Sequence, residues 1–155
     1  MADDHLVEER SFEATLDNYD YMREFIQEMA EAIGMPLRGR LRLELGMEEA
    51  LVNILKYAYQ GKETGQVWIR VEDRGDGTMG IDLFDHGVPF DPLTRSEPDH
   101  TLGVEERKVG GYGIHFMRQT FSHLEYHHEM FEGKLANHLH LEYDPAKKPA
   151  TAKSE

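Results

Sequence analysis

Val67-Trp-Ile-Arg-Val71 and Ile81-Asp-Leu83, with Asp76-Gly77 between them, are the stretch of sequence that decides the fold. Apolar residues occupy every second position on both sides of the Asp-Gly pair, which predicts two strands that each bury one face. An Asp-Gly pair between alternating strands is a strong signal for a tight turn. We therefore predict an antiparallel β-hairpin with one face in the core.

Two helical patterns precede this hairpin. The first follows Asp17 and Asn18, either of which is a potential N-cap, and it stops at Gly34 and Pro36. The second is longer and runs from about residue 37 to residue 59. The apolar stripe of the first helix is Tyr19, Met22, Ile26, Met29 and Ile33, and that of the second is Leu43, Met47, Ala50, Leu51, Ile54 and Ala58.

Strands are also predicted at both ends of the chain. Phe12, Ala14 and Leu16 alternate with polar residues near the start, and a last hairpin is expected over about 122–130 and 134–143. A short helix opened by Gly110–Gly113 comes before that hairpin. The order β-α-α-β-β-lid-α-β-β predicts an α+β two-layer sandwich, in which helices cover one face of a mixed, mostly antiparallel sheet.

Length and composition limit the class of protein. The 155 residues suit a single domain, which we place at 1–143, followed by a disordered tail at 144–155 that is rich in proline and charge. The net charge of −13 disfavours direct binding of nucleic acid or an anionic membrane surface. The absence of cysteine excludes disulfides and thiol catalysis. Neither a secretory signal nor a membrane helix is recognisable, so we expect a cytoplasmic protein.

One glycine motif is misleading. Gly75-Asp-Gly77-Thr-Met-Gly80 matches the dinucleotide-binding pattern G-x-G-x-x-G, but that pattern functions only where a helix follows it. Here the alternation predicts a strand, so the glycines are expected to serve the hairpin turn instead.

Histidines in the last hairpin suggest a metal site as an alternative. If the turn falls at Glu132-Gly133, then one face of the two paired strands carries Glu125, His127, His138 and His140. Three imidazoles and a carboxylate suit a transition metal. The opposite face is apolar and is the expected core side, so a solvent-facing or interface patch is the commoner explanation for these four residues.

Three separated segments carry residues that suit a ligand site. Glu49 and Asn53 are four residues apart in the long helix, so they share one face with Cβ atoms about 5–6 Å apart. A solvated polar face is the commoner role of such a pair. Asp85 has the parity of the buried residues in its strand, and a buried carboxylate needs partners such as the exocyclic amine of adenine. Gly87 would leave room for a flat base, although an Asx-turn also explains Asp85.

The third segment is the glycine cluster Gly110-Gly-Tyr-Gly113. Glycines at the start of a helix let backbone N–H groups approach phosphate oxygens, and the helix dipole favours the anion. The simpler explanation is a hinge that closes the preceding loop. No periodicity is visible from His86 to Val109, and loops of that length are usually functional lids or disordered. We expect residues 93–109 to be a lid that is mobile without nucleotide.

Together the three segments resemble the nucleotide-binding boxes of the GHKL ATPase superfamily. The matching stretches are Glu49-Ala-Leu-Val-Asn53, Asp85-His-Gly-Val-Pro-Phe-Asp-Pro92 and Gly110-Gly-Tyr-Gly-Ile-His-Phe-Met117. The second of them resembles the form found in bacterial anti-sigma-factor serine kinases, and Lys134–Leu141 resembles their closing strand. The resemblance covers about residues 6 to 143. Tyr57 and Pro89 depart from the residues usual in the wider superfamily, which are histidine and glycine.

The resemblance implies an ATP site of the Bergerat type between the helices and the lid. Asn53 would supply an oxygen to Mg²⁺, and Glu49 would be the general base for the serine hydroxyl of a partner protein. Asp85 would bind the adenine amine, with Gly87 beneath the ring and Phe90 shaping the pocket. The phosphates would be bound by Gly111, Gly113 and Lys108, with Arg107 as an alternative to the lysine.

The resemblance also implies a cellular role. The expected partners are a sigma factor and an anti-anti-sigma (antagonist) protein, which would be the phosphorylated substrate, and a homodimer is expected. One alternative is a module in which ATP only props open a protein-binding surface. Another is the catalytic domain of a sensor histidine kinase, although only about 35 residues precede the long helix and no phosphoacceptor hairpin fits there. The metal-binding protein suggested by the histidines is a third.

Overall fold

The computed structural model of the chain describes residues 6–60, 64–94 and 113–146. Its helices and strands follow the predicted order. In chain order they are β1 (Val7–Glu13), α1 (Tyr19–Ala32), α2 (Leu37–Tyr57), β2 (Gln66–Gly75), β3 (Thr78–Asp85), α3 (Gly113–Thr120), β4 (His123–Phe131) and β5 (Lys134–Tyr143), with short 3-10 turns at Leu16–Asn18 and Pro92–Thr94.

The five strands form one sheet in the order β1-β2-β3-β5-β4, and all four pairings are antiparallel. Two of the pairings are the predicted hairpins. The other two, β1–β2 and β3–β5, join strands that are far apart in the chain. The helices cover one face of this sheet, which confirms the predicted α+β two-layer sandwich.

The β2–β3 hairpin forms as the alternation predicts. Val67, Ile69 and Val71 are fully buried, while the residues between them face outward. Asp76 and Gly77 occupy the turn with φ of 57° and 81°, and both values lie in the left-handed region that this pair tolerates best. The strand β3 follows the glycines, so the rejection of the dinucleotide motif is confirmed.

The core lies between the sheet and the helices. Gly34, with φ of 85°, lies just beyond the end of α1 at Ala32, as a glycine after a helix commonly does. The largest side chains that are fully buried are Tyr143, Phe25, Phe121, Met22, Ile26, Leu43, Leu51, Ile69, Met79, Ile81, Leu83 and Met117. They come from both helices, from α3 and from the central strands.

Two expectations for the N-terminal part are wrong in detail. The first strand ends at Glu13, so Ala14 lies beyond it and Leu16 sits in the following turn with 55% of its surface exposed. Asn18 does precede α1, but its side chain does not cap the helix. Its Nδ2 donates instead to the backbone oxygen of Glu13 at 2.9 Å, and this bond ties the helix start to the end of β1.

Helix α3 packs closely against α2 at Gly46, which has no side chain. A Cβ on Gly46 would lie 2.5 Å from Cγ2 and 2.8 Å from Cβ of Thr120. Gly46 is therefore needed for the close approach of the two helices. This contact fixes α3 next to the middle of α2, close to where the candidate site lies.

Some expectations fall outside the described residues. The predicted lid lies outside them from residue 95 onward, as do Arg107, Lys108, Gly110 and Gly111. The predicted tail lies outside them from residue 147 onward. Within the described ranges, none of the helices has both the length and the apolar character needed to span a membrane.

We expect Gly46→Ala to destabilise the protein. In a helix with free space around the glycine, the same change would stabilise the protein by about 0.5–1 kcal/mol. Overpacking against Thr120 should cost about 1–3 kcal/mol, measured as the free energy of unfolding in urea. The double variant Gly46→Ala/Thr120→Ala should recover part of the loss, because it removes two of the three obstructing atoms. A single variant more stable than the parent would contradict the packing described here.

Candidate functional site

An apolar recess opens between α2, α3 and the strands β3 and β5. It contains about 440 Å³ of empty space, part of which is open to solvent. Side chains of the long helix form one wall, and β3 and β5 form the floor. Its lining residues are Ala50, Asn53, Ile54, Ala58, Leu83, Asp85, Val88, Phe90, Pro92, Met117, Tyr126, Asn137 and Leu139.

Asp85 is the charged group at the floor of this pocket. It is the last residue of β3 and only 3% of its surface is exposed, as the parity of the strand predicts. Its Oδ1 accepts two hydrogen bonds of 2.9 Å, one from the backbone N–H of Gly87 and one from Nδ2 of Asn137. Among the described residues no donor is bonded to Oδ2, so this atom remains for a ligand that carries an N–H group.

Burial controls the ionisation of Asp85. Removal from water raises the pKa of the carboxyl above its usual range, although the hydrogen bonds from Asn137 and Gly87 oppose that shift. A ligand amine that donates to the ionised carboxylate would supply a further favourable interaction. Such a bond would offset part of the cost of burying the charge.

Asn137 holds the floor of the pocket together, and sequence reasoning did not assign it a role. Besides Asp85, its Nδ2 donates to the backbone oxygen of Val88 at 2.9 Å. Its Oδ1 accepts from the backbone N–H of Phe90 at 3.1 Å and from the hydroxyl of Tyr126. A single amide therefore connects β5, β4, the end of β3 and the loop that follows it.

Gly87 lets the loop after β3 pass close to the end of α2, while its place beneath an adenine ring stays a prediction. A Cβ at this position would lie 2.1 Å from the backbone oxygen of Ala58, at the C-terminal end of α2. The neighbouring Val88 donates its N–H to the same oxygen at 2.8 Å. The space that the glycine leaves is thus taken by the helix end, and the pocket lining formed by the described residues does not include Gly87.

Asn53 and Glu49 lie one turn apart on α2, where the spacing places them. Asn53 lines the pocket, whereas Glu49 lies a turn away from it toward the helix N-terminus, next to the pocket residue Ala50. Glu49 is partly buried, and burial followed by the charge of Glu48 raises the pKa of its carboxyl. A carboxylate with a raised pKa is better suited to accept a proton near neutral pH.

Of the remaining predicted ligand residues, some lie within the described ranges and some outside them. Phe90 lines the pocket. Gly113 begins α3, and its helix faces the pocket through Met117. Lys108 and Gly111 lie outside the described residues, so their assignment to the phosphates stays a prediction.

The predicted histidine face forms, but two of its four predicted members do not belong to the group of side chains that converges, and one unpredicted residue does. Glu125 pairs with His140 and His127 with His138 in the β4–β5 ladder, as the turn at Glu132-Gly133 requires. Glu125, however, accepts from His123 at 2.6 Å and from His127 at 3.0 Å, away from the other two histidines.

His138 and His140 bind Asp82 of β3 instead. The group that converges is therefore Asp82, His138 and His140. Burial opposes it, but the hydrogen bonds from both histidines hold the pKa of Asp82 well below its usual range. The hydrogen bond to Asp82 raises the pKa of His140 to about 9.

The pocket fits a flat, mostly apolar ligand that carries an amine at one end. Its walls are aliphatic and aromatic, its floor has the carboxylate acceptor of Asp85, and its rim has the amide of Asn53. Amide oxygens are ligands that hard cations such as Mg²⁺ accept. These features fit an adenine base on the floor and a cation-bound phosphate group toward Asn53.

Comparison with known proteins agrees with this geometry. The model of a family described as the histidine kinase-like ATPase domain matches residues 12–141, which is most of the chain. The matched region begins in β1 and ends in β5, so it includes every element that forms the pocket. No curated protein matches the chain.

We expect Asn137→Ala to lower the free energy of unfolding by about 1–3 kcal/mol at neutral pH, because it leaves a buried carboxylate without one of its donors. The Asn137 hydrogen bond lowers the pKa of Asp85, so its loss raises that pKa further. The destabilisation should shrink as the pH falls and Asp85 becomes protonated. Urea unfolding of both proteins from acidic to neutral pH measures it.

Tyr126→Phe is the matched control for this measurement. It removes a different hydrogen bond of the same amide and leaves the bond to Asp85 in place. Its effect should be smaller and should not change with pH over the same range. Equal pH dependence of the two variants would show that Asn137 does not act through the charge of Asp85.

Proposed function

Because the chain belongs to the histidine kinase-like ATPase domain family, we propose that its pocket binds ATP with Mg²⁺ and that it transfers the γ-phosphate to a serine of a partner protein. The role that we propose is that of an anti-sigma factor. In that role it phosphorylates an anti-anti-sigma (antagonist) protein and sequesters a sigma factor. The buried carboxylate of Asp85, at the floor of an apolar pocket, is the observation that carries the proposed nucleotide site.

The adenine end of the proposed site is built from described residues. Oδ2 of Asp85 would accept a hydrogen bond from the exocyclic amine of adenine. Asn137 donates a hydrogen bond to Oδ1 and so fixes the orientation of the carboxylate. Apolar side chains on either side, including Leu83, Met117 and Leu139, form the walls against which the ring packs. An acceptor at this position favours adenine over guanine, because guanine carries a carbonyl oxygen where adenine carries the amine.

The phosphate end rests on fewer described residues. The amide oxygen of Asn53 would hold Mg²⁺, whose chemistry when bound is to neutralise charge on the phosphate oxygens. Gly111 and Gly113 would present backbone N–H groups to the phosphates at the start of α3, and Lys108 would add a positive charge. These assignments rest on the resemblance of Gly110–Met117 to the family segment.

Glu49 would act as the general base. In the proposed transfer its carboxylate accepts the proton of the serine hydroxyl as the serine oxygen bonds to the γ-phosphorus. The bond from that phosphorus to the bridging oxygen breaks, and ADP leaves. Its partly buried position beside the pocket and its raised pKa support this role.

A surface stripe supports a protein as the substrate. Leu37, Leu41 and Leu45 recur every four residues on the N-terminal half of α2, and they are 58%, 54% and 63% exposed. Large apolar side chains exposed in a row are typical of surfaces that bind other proteins. The same helix carries Glu49 and Asn53 in its other half. The sigma factor and the antagonist are the proposed partners, and a homodimer would add a second copy of the chain.

The test is incubation with ATP labelled at the γ-phosphate and with candidate partner proteins encoded by neighbouring genes. The proposal expects an acid-stable phosphoserine on one partner, located by mass spectrometry. Acid-labile label would indicate transfer to histidine. ATP-dependent co-purification of a partner without any transfer of label would indicate a binding module, and either result would overturn the serine kinase proposal.

We expect Asp85→Asn to weaken ATP binding by about 1–3 kcal/mol, or roughly 5–150-fold in Kd, because the variant loses a charged acceptor for the amine. Isothermal titration calorimetry with ATP and with GTP measures the change. The affinity for GTP should fall less. The fold should be retained, since an asparagine oxygen still accepts from Gly87 and Asn137. Unchanged ATP affinity would contradict the assignment of the pocket.

Two further variants separate binding from chemistry. Asn53→Ala should lose the Mg²⁺-dependent part of ATP affinity, whereas Glu49→Gln should keep ATP binding and lose about 10²–10⁴-fold in transfer rate. Because burial raises the pKa of Glu49, the rate of the parent should fall as the pH drops toward that raised pKa.

Glu48→Gln is the matched control, because Glu48 is the exposed carboxylate next to Glu49 in the same helix. It should leave ATP binding and the rate at neutral pH close to those of the parent, and shift the fall of the rate to lower pH, because the charge of Glu48 helps to raise the pKa of Glu49. If Glu49→Gln and Asn53→Ala lose ATP affinity equally, Glu49 has a structural role in the pocket rather than a chemical one.

A further inference from the structure

A cluster of imidazoles and carboxylates lies on the face of the sheet that the helices leave open. Oδ1 of Asp82 is 2.6 Å from Nε2 of His138 and 2.8 Å from Nδ1 of His140. Three ligand atoms, one from each residue, all lie within 4.8 Å of one another. They come from β3 and β5, the two central strands.

Backbone pairing fixes this arrangement. Asp82 lies directly opposite His140 in the β3–β5 ladder, and His138 lies two residues further along β5, opposite Phe84. Side chains two residues apart share one face of a strand, so all three point away from the helices. The positions are therefore set by the central ladder of the sheet and not by a flexible loop.

Each histidine is also held from its far side by a second carboxylate. Nδ1 of His138 bonds Oε2 of Glu129 at 2.6 Å, and Nε2 of His140 bonds Oε2 of Glu142 at 2.9 Å. Carboxylates that bind the far nitrogen of an imidazole are the usual outer support of histidines that ligate metals, because they fix the ring and strengthen it as a ligand. Both histidines have this support.

Aromatic packing further orients His138. Its ring stacks on Phe84 with centroids 4.2 Å apart, and Phe84 stacks in turn on Phe131 at 3.9 Å. Phe84 is only 3% exposed, so this stack is part of the packed structure. The side chains of Asp82, His138 and His140 remain 13%, 15% and 17% exposed, which leaves an approach from solvent.

The charges of the cluster suit a divalent cation. The three carboxylates carry −3, and neutral imidazoles, the form that binds a metal, carry no charge, so one divalent cation leaves the cluster at −3 + 2 = −1. With metal–ligand bonds near 2.1 Å, ligand atoms lie about 3.4 Å apart in a tetrahedral site, so the separations of 2.6 and 2.8 Å would need to open by about 0.6–0.8 Å.

We propose that Asp82, His138 and His140 form a binding site for Zn²⁺ or a similar divalent transition metal, with Glu129 and Glu142 as its outer support and water in the remaining position. Two imidazoles and one carboxylate are a ligand set that zinc uses widely. The site lies on the opposite side of the sheet from the nucleotide pocket. It does not depend on the proposed kinase function.

The test is calorimetric titration of the full chain, without a histidine tag and treated with chelator, with ZnCl₂. We expect saturable binding of one Zn²⁺ per chain. Titration with Co²⁺ should give visible absorption bands of nitrogen and oxygen coordination, which Zn²⁺ then removes. Long-range ¹H–¹⁵N spectra of the unmodified protein should show Zn²⁺-induced shifts at Nε2 of His138 and Nδ1 of His140.

Variants then identify the ligands. Asp82→Asn and His140→Gln should each weaken Zn²⁺ binding by more than the roughly 10–100-fold expected of Glu142→Gln, which removes only outer support. His123→Gln is the matched control, since the His123 ring lies 6.2 Å from that of His140 on the same face, but its Nε2 bonds Glu125. It should keep the affinity of the parent, and circular dichroism should confirm that each variant is folded.

Three results would overturn the proposal. One is the absence of saturable Zn²⁺ binding, which would leave the cluster as an ion-pair network. Another is an equal loss in His123→Gln and His140→Gln, which would indicate diffuse binding by a histidine-rich surface. The third is Zn²⁺-induced nitrogen shifts at other histidines only. The nitrogen spectra decide the matter on the unmodified protein even if Asp82→Asn does not fold.

Discussion

The hydrogen bond from Asn137 to Asp85 joins the two central strands where they meet the floor of the pocket. A carboxylate that is almost wholly removed from water is costly unless donors surround it. The ladder supplies one donor from β5, and the loop after β3 supplies another from the backbone of Gly87. The same amide then binds the loop at Val88 and Phe90, so the path of the chain leaving the sheet depends on it.

Much of the fold follows from local sequence signals. Periodicity and turn residues within a few positions of one another predict both hairpins, the turn at Asp76-Gly77 and the two long helices. The burial of Asp85 follows from the same alternation, because the residue shares the parity of Ile81 and Leu83. The pairing of the last two strands follows from the position of Glu132-Gly133.

The features that the sequence did not reveal depend on contacts between distant parts of the chain. Asn137 and Asp85 are 52 residues apart in the chain, and no hairpin turn in the sequence predicts the pairing of β3 with β5 that brings them together. The same pairing brings Asp82 to the histidines, so the hypothesis built on the last hairpin alone included Glu125 and His127 in its place. Gly87 likewise needs the end of α2 to explain it, because only the folded chain places the Ala58 oxygen against it.

Neighbouring residues of β5 serve opposite faces of the sheet: Asn137 faces the pocket, and His138 faces the open side. The link between β4 and β5 has only two residues, Glu132 and Gly133, both with positive φ. Inserting or deleting one residue in β5 between this turn and Asn137 would exchange the two faces, because side chains alternate with a period of two. The histidine would then face the pocket and the amide would face solvent. The pocket therefore constrains the length of this part of the hairpin, although the turn itself does not contact the pocket. Insertions and deletions should be tolerated better in other parts of the chain.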